Sequence, residues 1–372
     1  MTAPPRTYTI LHTEASLGWG GQERRIVAEA QAMVRRGHRV LVAADPRSQL
    51  AVRAPQAGLP FFPLACGGRR NLGALWALRR LLARQQVEIL NTHSSLDSWL
   101  GAMAVLGRRR QTKLVRTRHL STPIQTSFPT RWLYQQADAI ITTGAAIKTL
   151  ISTRAQVPPA RIVSIPTGVD LERFHPDVSA DRAGNLPQTW APDVPIIGVV
   201  AVLRSWKGHL YLLEALHHIQ QAGVAAHLLC VGDGPYRVVL EPRIAALHLG
   251  DSVWLAGYQE EVPQWLALMD IVVLASYANE GVPQCLLQAM AMGKPVVGTQ
   301  CGGSPEIVLP EVTGLLVPPQ DSRALAQALL RLLQDPAGRR RLGTNGRELV
   351  ARQYSVSQMA AAVEEVYAQL RA

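Results

Sequence analysis

The sequence predicts an α/β protein built from two successive doubly wound units of parallel sheet, and three observations carry that prediction. Short β-rich runs alternate with helical patterns along most of the 372 residues. The alternation halts over a stretch rich in Pro, Gly and Asp at 176–195, then restarts. Distinctive polar residues stand directly after several of the strand-like runs, where open α/β sheets bind ligands.

In the first half, the strand-like runs are 7–12, 39–43, 89–92, 114–117, 139–142 and 162–165. Helical patterns such as 22–36 and 72–85 separate them, the second with Asn71 placed to cap it. In the second half, strands are predicted at 196–202, 227–231, 253–256, 271–274 and 295–298. Helices over 208–221, 236–247, 262–269 and 283–292 lie between them, and amphipathic helices follow from Ser322. The predicted organisation is a first domain at 1–176, a linker at 177–194, a second domain at 195–353 and a terminal helix at 354–372. That helix is expected to pack back toward the first domain.

Hydrophobic residues make up 48% and charged residues 17%, enough to fill two cores and too apolar for a disordered chain. The longest apolar run, 196–203, falls far short of the ~20 residues a membrane-spanning helix needs. The N-terminus shows no signal-peptide pattern. Cys66, Cys230, Cys285 and Cys301 lack metal-type spacing and read as reduced thiols, so a cytoplasmic location is expected. Charge is unevenly placed. Residues 1–176 hold 24 Lys and Arg against 9 Asp and Glu, a balance of +15, whereas 177–372 come to −4. A basic face serves nucleic acid, anionic lipid or an anionic substrate, and a plain arginine bias also accounts for it. Four Phe and no basic motif interleaved with aromatics argue against nucleic acid.

Three segments carry candidate chemistry. Glu280 follows the strand 271–274, and Gln288 lies two helical turns further on, so the two can face one ligand. Between them Gly281, Val282 and Pro283 open the helix, and Pro suits its first turn. A simple helix-dipole role explains Glu280 alone equally well. Arg204 and Lys207 follow the strand 196–202 at the mouth of a helix, where two cations can neutralise a diphosphate. Gly18, Gly20 and Gly21 join the first strand to the first helix. A dinucleotide fingerprint would need glycine where Glu23 stands, although Asp45 occupies the place of a ribose-binding acid. A plain tight turn is the alternative.

Taken in order, seven segments resemble the retaining glycosyltransferases of family 4, which have the GT-B fold of two Rossmann-like domains facing across a cleft. They are Gly18-Trp-Gly20-Gly21-Gln-Glu23, Ile165-Pro-Thr-Gly-Val-Asp170, Arg204-x-x-Lys207-Gly208, Val231-Gly-Asp-Gly234-Pro235, Glu280-Gly-x-Pro283, Ala289-Met-Ala-x-Gly293-x-Pro295 and Gly302-Gly-Ser-Pro-Glu306. The resemblance spans nearly the whole chain. It implies that Arg204 and Lys207 bind the diphosphate of a nucleotide-sugar and that Glu280 contacts the transferred sugar. It further implies that Gly234, Tyr258, the Gly281–Pro283 loop and the Gly302-Gly303 loop approach the donor. From the first domain it implies the Gly20-Gly21 loop and His119, at the end of the fourth predicted strand. Two positions depart from the family pattern. Gln288 replaces the second Glu of the pair, and an amide still pairs with a ribose hydroxyl. Thr167 stands where Asn is usual.

The implied activity is transfer of a hexosyl or N-acetylhexosaminyl group from a UDP- or GDP-sugar, with retention, to a hydroxyl of a glycan or lipid-linked acceptor. Lipopolysaccharide or other cell-surface polysaccharide synthesis is the implied setting. No Asp-x-Asp occurs, so no metal or other cofactor is expected beyond the nucleotide-sugar co-substrate. Arg69-Arg70, Arg79-Arg80-Arg84 and Arg108-Arg109-Arg110, beside Leu75, Trp76, Leu78, Leu81 and Leu82, suggest a helix resting on an anionic membrane face. A core-facing helix with a solvated arginine edge is the alternative. His93 ends another strand and is a candidate for the acceptor side, while His12 reads as structural. An epimerase on the same fold and a non-catalytic nucleotide-binding protein are the competing functions.

Overall fold

The computed structural model describes residues 6–67, 71–119, 122–278 and 280–371. The chain divides into two compact units, Met1–Gly168 with Val356–Ala372, and Val169–Ser355.

In the first unit the strands are β1 (Thr9–Glu14), β2 (Arg39–Ala44), β3 (Phe61–Pro63), β4 (Ile89–Thr92), β5 (Lys113–Arg118), β6 (Ala139–Thr142) and β7 (Ile162–Ser164). They pair in parallel in the order β3-β2-β1-β4-β5-β6-β7. Helices α1 (Gly21–Arg35), α2 (Leu50–Gln56), α3 (Asn71–Arg84), α4 (Ser95–Ala104), α5 (Phe128–Gln136) and α6 (Ala145–Ala155) connect them. Strands buried on both faces need continuous apolar runs, and Val40–Ala44 and Ile89–Leu90 supply them.

The second unit opens with a short helix α7 (Arg182–Asn185). Its strands are β8 (Ile196–Val200), β9 (His227–Val231), β10 (Val253–Gly257), β11 (Ile271–Leu274), β12 (Val296–Thr299) and β13 (Gly314–Val317). Their order is β10-β9-β8-β11-β12-β13, again parallel. Helices α8 (His209–Gln221), α9 (Arg237–Ala246), α10 (Val262–Leu268), α11 (Gln284–Ala291), α12 (Ser304–Ile307), α13 (Ser322–Gln334) and α14 (Pro336–Gln353) complete it. Asp321 and Asp335 cap α13 and α14, accepting from Ala324 N and Gly338 N at 2.9 and 2.8 Å.

Several boundaries differ from the sequence reading. β3 and β13, absent from that reading, are edge strands of three and four residues, and β3 ends on a proline. Because β3 intervenes, His119 follows the fifth strand and not the fourth. The stretch read as a linker belongs to the second unit, where Trp190 joins the core and donates Nε1–H to the carbonyl of Asp251 at 3.0 Å. Val169 and Phe174, read as the end of the first domain, are buried in the same core. The last helix, α15 (Val356–Arg371), buries Met359, Val363, Val366 and Tyr367 against β-strand residues of the first unit. Each such side chain contributes about 1.5–3 kcal/mol through burial.

A polar network runs under the first sheet. Arg25 and Glu29, one helical turn apart on α1, form a fully buried ion pair at 3.3 Å. Arg25 Nη1 donates to the Ile165 carbonyl at 2.7 Å and to Thr167 Oγ1 at 3.2 Å. The unusual threonine of that motif therefore accepts a charged hydrogen bond. Asn91 donates to Tyr367 Oη at 3.0 Å, tying α15 to β4. Breaking a buried pair leaves an uncompensated charge, so Arg25→Met is expected to cost about 3–5 kcal/mol in urea unfolding. The double variant Arg25→Met/Glu29→Leu should regain most of that loss. A single variant as stable as the wild type would show that the pair holds nothing together.

Candidate functional site

In an open parallel sheet the loops on either side of a strand-order reversal leave in opposite directions and open a crevice at the carboxyl edge. The reversal in the second unit lies between β8 and β11, and in the first between β1 and β4.

In the second unit four loops interlock at this edge. After β8 a 3-10 turn, Ser205–Lys207, presents Arg204 and Lys207 before α8. Gly208 follows with φ +73°, and an added Cβ would lie 1.9 Å from the Ala275 carbonyl oxygen, so only glycine lets this loop meet the end of β11. Leu203 N–H donates to the Asp233 carbonyl at 3.1 Å, and a Cβ on Gly234 would collide with the Leu203 carbonyl. Gly302, at φ +56°, lies flat on the backbone of Glu280, and Gly303 N–H donates to the Gly281 carbonyl at 3.1 Å.

These contacts bring two of the expected residues, Lys207 and Glu280, together. Lys207 Nζ donates to Glu280 Oε1 at 2.5 Å, and Ser276 Oγ donates to the same oxygen at 2.6 Å. Glu280 is 6% exposed. Both donors satisfy an oxygen that burial takes away from water. Arg204 is exposed, its guanidinium 5.7 Å from the centre of the Trp206 ring. Pro283 occupies the N-cap of α11, and Gln288 lies half-buried on that helix. Val282 and Pro283 are buried, Val282 within the apolar core. Tyr258 is 60% exposed after the edge strand β10, away from the reversal. Burial pushes the Cys285 thiol up to about 11, which makes it a poor nucleophile at neutral pH.

In the first unit three imidazoles form a row across the ends of β1, β4 and β5. His12 Nδ1 lies 2.9 Å from His93 Nε2, and His93 Nδ1 lies 2.9 Å from His119 Nε2. Burial lowers the pKa of all three, so they are neutral at pH 7. His12 Nε2 is buried without a partner. A bare acceptor costs less there than a bare N–H, which assigns the proton to His12 Nδ1 and directs every bond toward His119. His119 then carries its own proton on Nδ1. Sequence reasoning set His12 aside as structural. The signal was the order β1-β4-β5, which brings His12, inside β1, beside His93 and His119, which directly follow β4 and β5.

Gly20, Gly21, His93 and His119 line a cavity of about 720 Å³ within this unit. Glu23 does not leave the glycine turn open as a phosphate cradle. Its carboxylate accepts from Gly20 N–H at 2.7 Å and caps α1. Asp45 is engaged by Arg47 at 2.9 and 3.0 Å, so it is no free ribose ligand. Both observations remove the dinucleotide alternative. Nearby, buried Glu14 and Asp97 interact. Burial first, and Asp97 second, raise the Glu14 carboxyl to about 7, and burial also raises Asp97.

On α3, Leu78 and Leu82 face the core while Leu72 and Trp76 are exposed, with Arg80 stacked 5.1 Å from the Trp76 ring. Most of its apolar side is thus a core face, as in the alternative of a core-facing helix with an arginine edge, and Leu72 and Trp76 are its exposed large apolar side chains. Arg109 is tied to Gln136 and Asp138, and Arg69-Arg70 lie outside the described residues. Among the described residues no helix is long and apolar enough to cross a membrane.

Residues 19–173 match the family described as Glycosyltransferase Family 4, and residues 194–335 match that described as Glycosyl transferases group 1. With the double sheet and its loops, these matches define the class: the chain belongs to the family 4 glycosyltransferases of GT-B fold. Among its relatives is the alpha-D-kanosaminyltransferase of Streptomyces kanamyceticus, 27% identical over 89% of this chain and 95% of that protein. The N-acetyl-alpha-D-glucosaminyl L-malate synthase of Bacillus anthracis is 35% identical, over 39% of this chain and 38% of its own length. The fold is shared with Anabaena Alr3699/HepE, solved with UDP, at a TM-score of 0.83 and 21% identity, covering 97% of this chain and all of that one.

The raised Glu14 carboxyl sets a pH dependence. Between pH 4.5 and about 7 the folded state keeps a proton that the unfolded chain has released, so stability falls as pH rises through this window. Glu14→Gln is expected to flatten that slope and to be more stable than the wild type at pH 8. An unchanged slope in denaturant titrations would place the retained proton elsewhere than on Glu14.

Proposed function

We propose that this glycosyltransferase moves a hexosyl or N-acetylhexosaminyl group from a UDP- or GDP-linked sugar to a hydroxyl of a glycan or lipid-linked acceptor. The anomeric configuration is retained, and the product enters lipopolysaccharide or another cell-surface polysaccharide. The observation that carries this reading is the Lys207–Glu280 pair, set beside Arg204 at the strand-order reversal of the second unit. The family relatives named for glycosyl transfer and the UDP complex of the Anabaena protein support the donor class.

In this proposal the donor diphosphate takes Arg204 and draws Lys207 away from Glu280, leaving that carboxylate to the hydroxyls of the transferred sugar. Gln288 hydrogen-bonds the ribose, and Gly234 and the Gly281–Pro283 loop offer backbone to the donor. Tyr258, beyond the edge strand, supplies a peripheral contact. The bond from the anomeric carbon to the β-phosphate oxygen breaks while the acceptor oxygen bonds on the same face. The acceptor proton passes to the departing phosphate. Fixed cations stabilise the charge that develops on this phosphate without a divalent ion. The first unit holds the acceptor and supplies His119, kept neutral and in one tautomer by the imidazole row.

A thermal-shift screen with UDP, GDP, ADP, TDP and CMP tests the donor site. One diphosphate should raise the Tm, and Arg204→Ala should abolish that shift and lower turnover by about 10²–10³-fold. A shift that survives the substitution would sink the assignment. The proposal also places the protein on the cytoplasmic face of an anionic membrane, through exposed Leu72 and Trp76 of α3. It should float with anionic but not neutral liposomes, and Trp76→Ser should weaken flotation. Equal flotation with both would exclude charge-driven attachment.

A further inference from the structure

The cavity of the first unit is lined by two cations that form no ion pair with a described carboxylate. Arg116 on β5 is 7% exposed and lines the cavity, and its Nη1 has no hydrogen-bond partner. Its guanidinium lies 4.0 Å from the centre of the Tyr134 ring, and burial lowers its pKa. Arg118, two residues on and half-buried, lines the same cavity. It donates to Tyr134 Oη at 2.7 Å and to the Thr122 carbonyl at 2.6 Å, while its Nε is buried and unpartnered. None of these partners carries charge.

The acids nearby are already engaged. Asp97 acts on Arg116 from a distance, but its oxygens accept from Thr13, His93 and Ser94 at 2.8–3.0 Å, with Ser94 Oγ closer at 2.5 Å. Glu23, also on the cavity wall, accepts from Gly20 N–H. A buried guanidinium without a counterion is costly, and a protein keeps one where a ligand supplies the missing charge. The planar fork of arginine fits a phosphate or carboxylate in bidentate fashion.

We infer that this cavity is an anion subsite, in which Arg116 and Arg118 hold a phosphate or carboxylate group of the acceptor. That the anion belongs to the acceptor rests on the proposed function; that the cavity binds an anion does not. Tyr134 positions both guanidiniums, one on its ring and one on its hydroxyl. Neutral His93 and His119 line the same cavity and add no charge to it, and Glu23, the acid on its wall, forms no ion pair with either arginine. A neutral sugar hydroxyl would leave both cations uncompensated.

Calorimetric titration of the full chain tests this, in an Arg204→Ala/Lys207→Ala background that removes the other candidate phosphate site. The probes are inorganic phosphate, glucuronate, short-chain phosphatidic acid and, as the neutral control, glucose. Saturable binding of at least one anion and none of glucose is expected. Arg116→Met should weaken anion binding by about tenfold or more. The tightest anion identifies the source as a free phosphate, a sugar carboxylate or a lipid phosphate. Since the unliganded cation is a cost, Arg116→Met should leave the Tm of the free protein unchanged or raised, an outcome a structural arginine would not give. If that variant does not fold, Arg118→Gln takes its place with the same expected weakening. Binding equal in the arginine variants, or absent for every anion, overturns the subsite. Anion binding that persists when no nucleotide shifts the Tm would refute the donor reading and spare this one. A nucleotide shift without anion binding would do the reverse.

Discussion

Two reversals of strand order organise this molecule. A parallel sheet can grow in both directions from its first strand only if successive crossover connections leave that strand on opposite sides, and this opens a crevice at the carboxyl edge. In the second unit the reversal sets the loop after β8 beside the loop after β11. Lys207 and Glu280, 73 residues apart in the chain, meet there at 2.5 Å. Gly208 and Gly302 make the approach possible, because a Cβ at either would strike the backbone of the neighbouring loop.

In both units the carboxyl edge is where charge is held out of water. The polar groups there are paired in ways that a core would not require. Glu280 keeps two donors on one oxygen, and three neutral imidazoles pass hydrogen bonds in one direction. Glu14 and Asp97 share an environment that favours keeping a proton. Arg116 and Arg118 retain positive charge with only aromatic and neutral partners. The Glu14–Asp97 pair and the unpartnered arginine nitrogens cost stability in the free protein, and proteins retain such costs where a ligand or a reaction recovers them. The α15 helix and the Arg25–Glu29 network, by contrast, serve cohesion, since their donors and acceptors are turned into the core of the first unit.

Much of this was legible in the sequence. Strands buried on both faces must be near-continuous apolar runs, so β2, β4, β8, β9 and β11 stand out between helical patterns. The glycine, cation and acid motifs occur at strand ends because the fold puts loops there. The edge strands β3 and β13 were not legible, as β3 is three residues ending on proline and β13 opens on glycine and runs straight into Pro318-Pro319. The supposed linker was misread because its Pro and Asp content hides Trp190, whose burial depends on residues 61 positions away.

By itself, the sequence determined the two-sheet architecture and the strand-end placement of Arg204, Lys207, Glu280 and His119, because local periodicity and turn chemistry act over a few residues. Only the tertiary structure decided which of these meet. It closed the glycine turn with Glu23, engaged Asp45 with Arg47, and drew His12 into line with His93 and His119. It also left Arg116 buried without a counterion. Burial and pairing arise from strands that are adjacent in space and distant in the chain, and no local pattern encodes them.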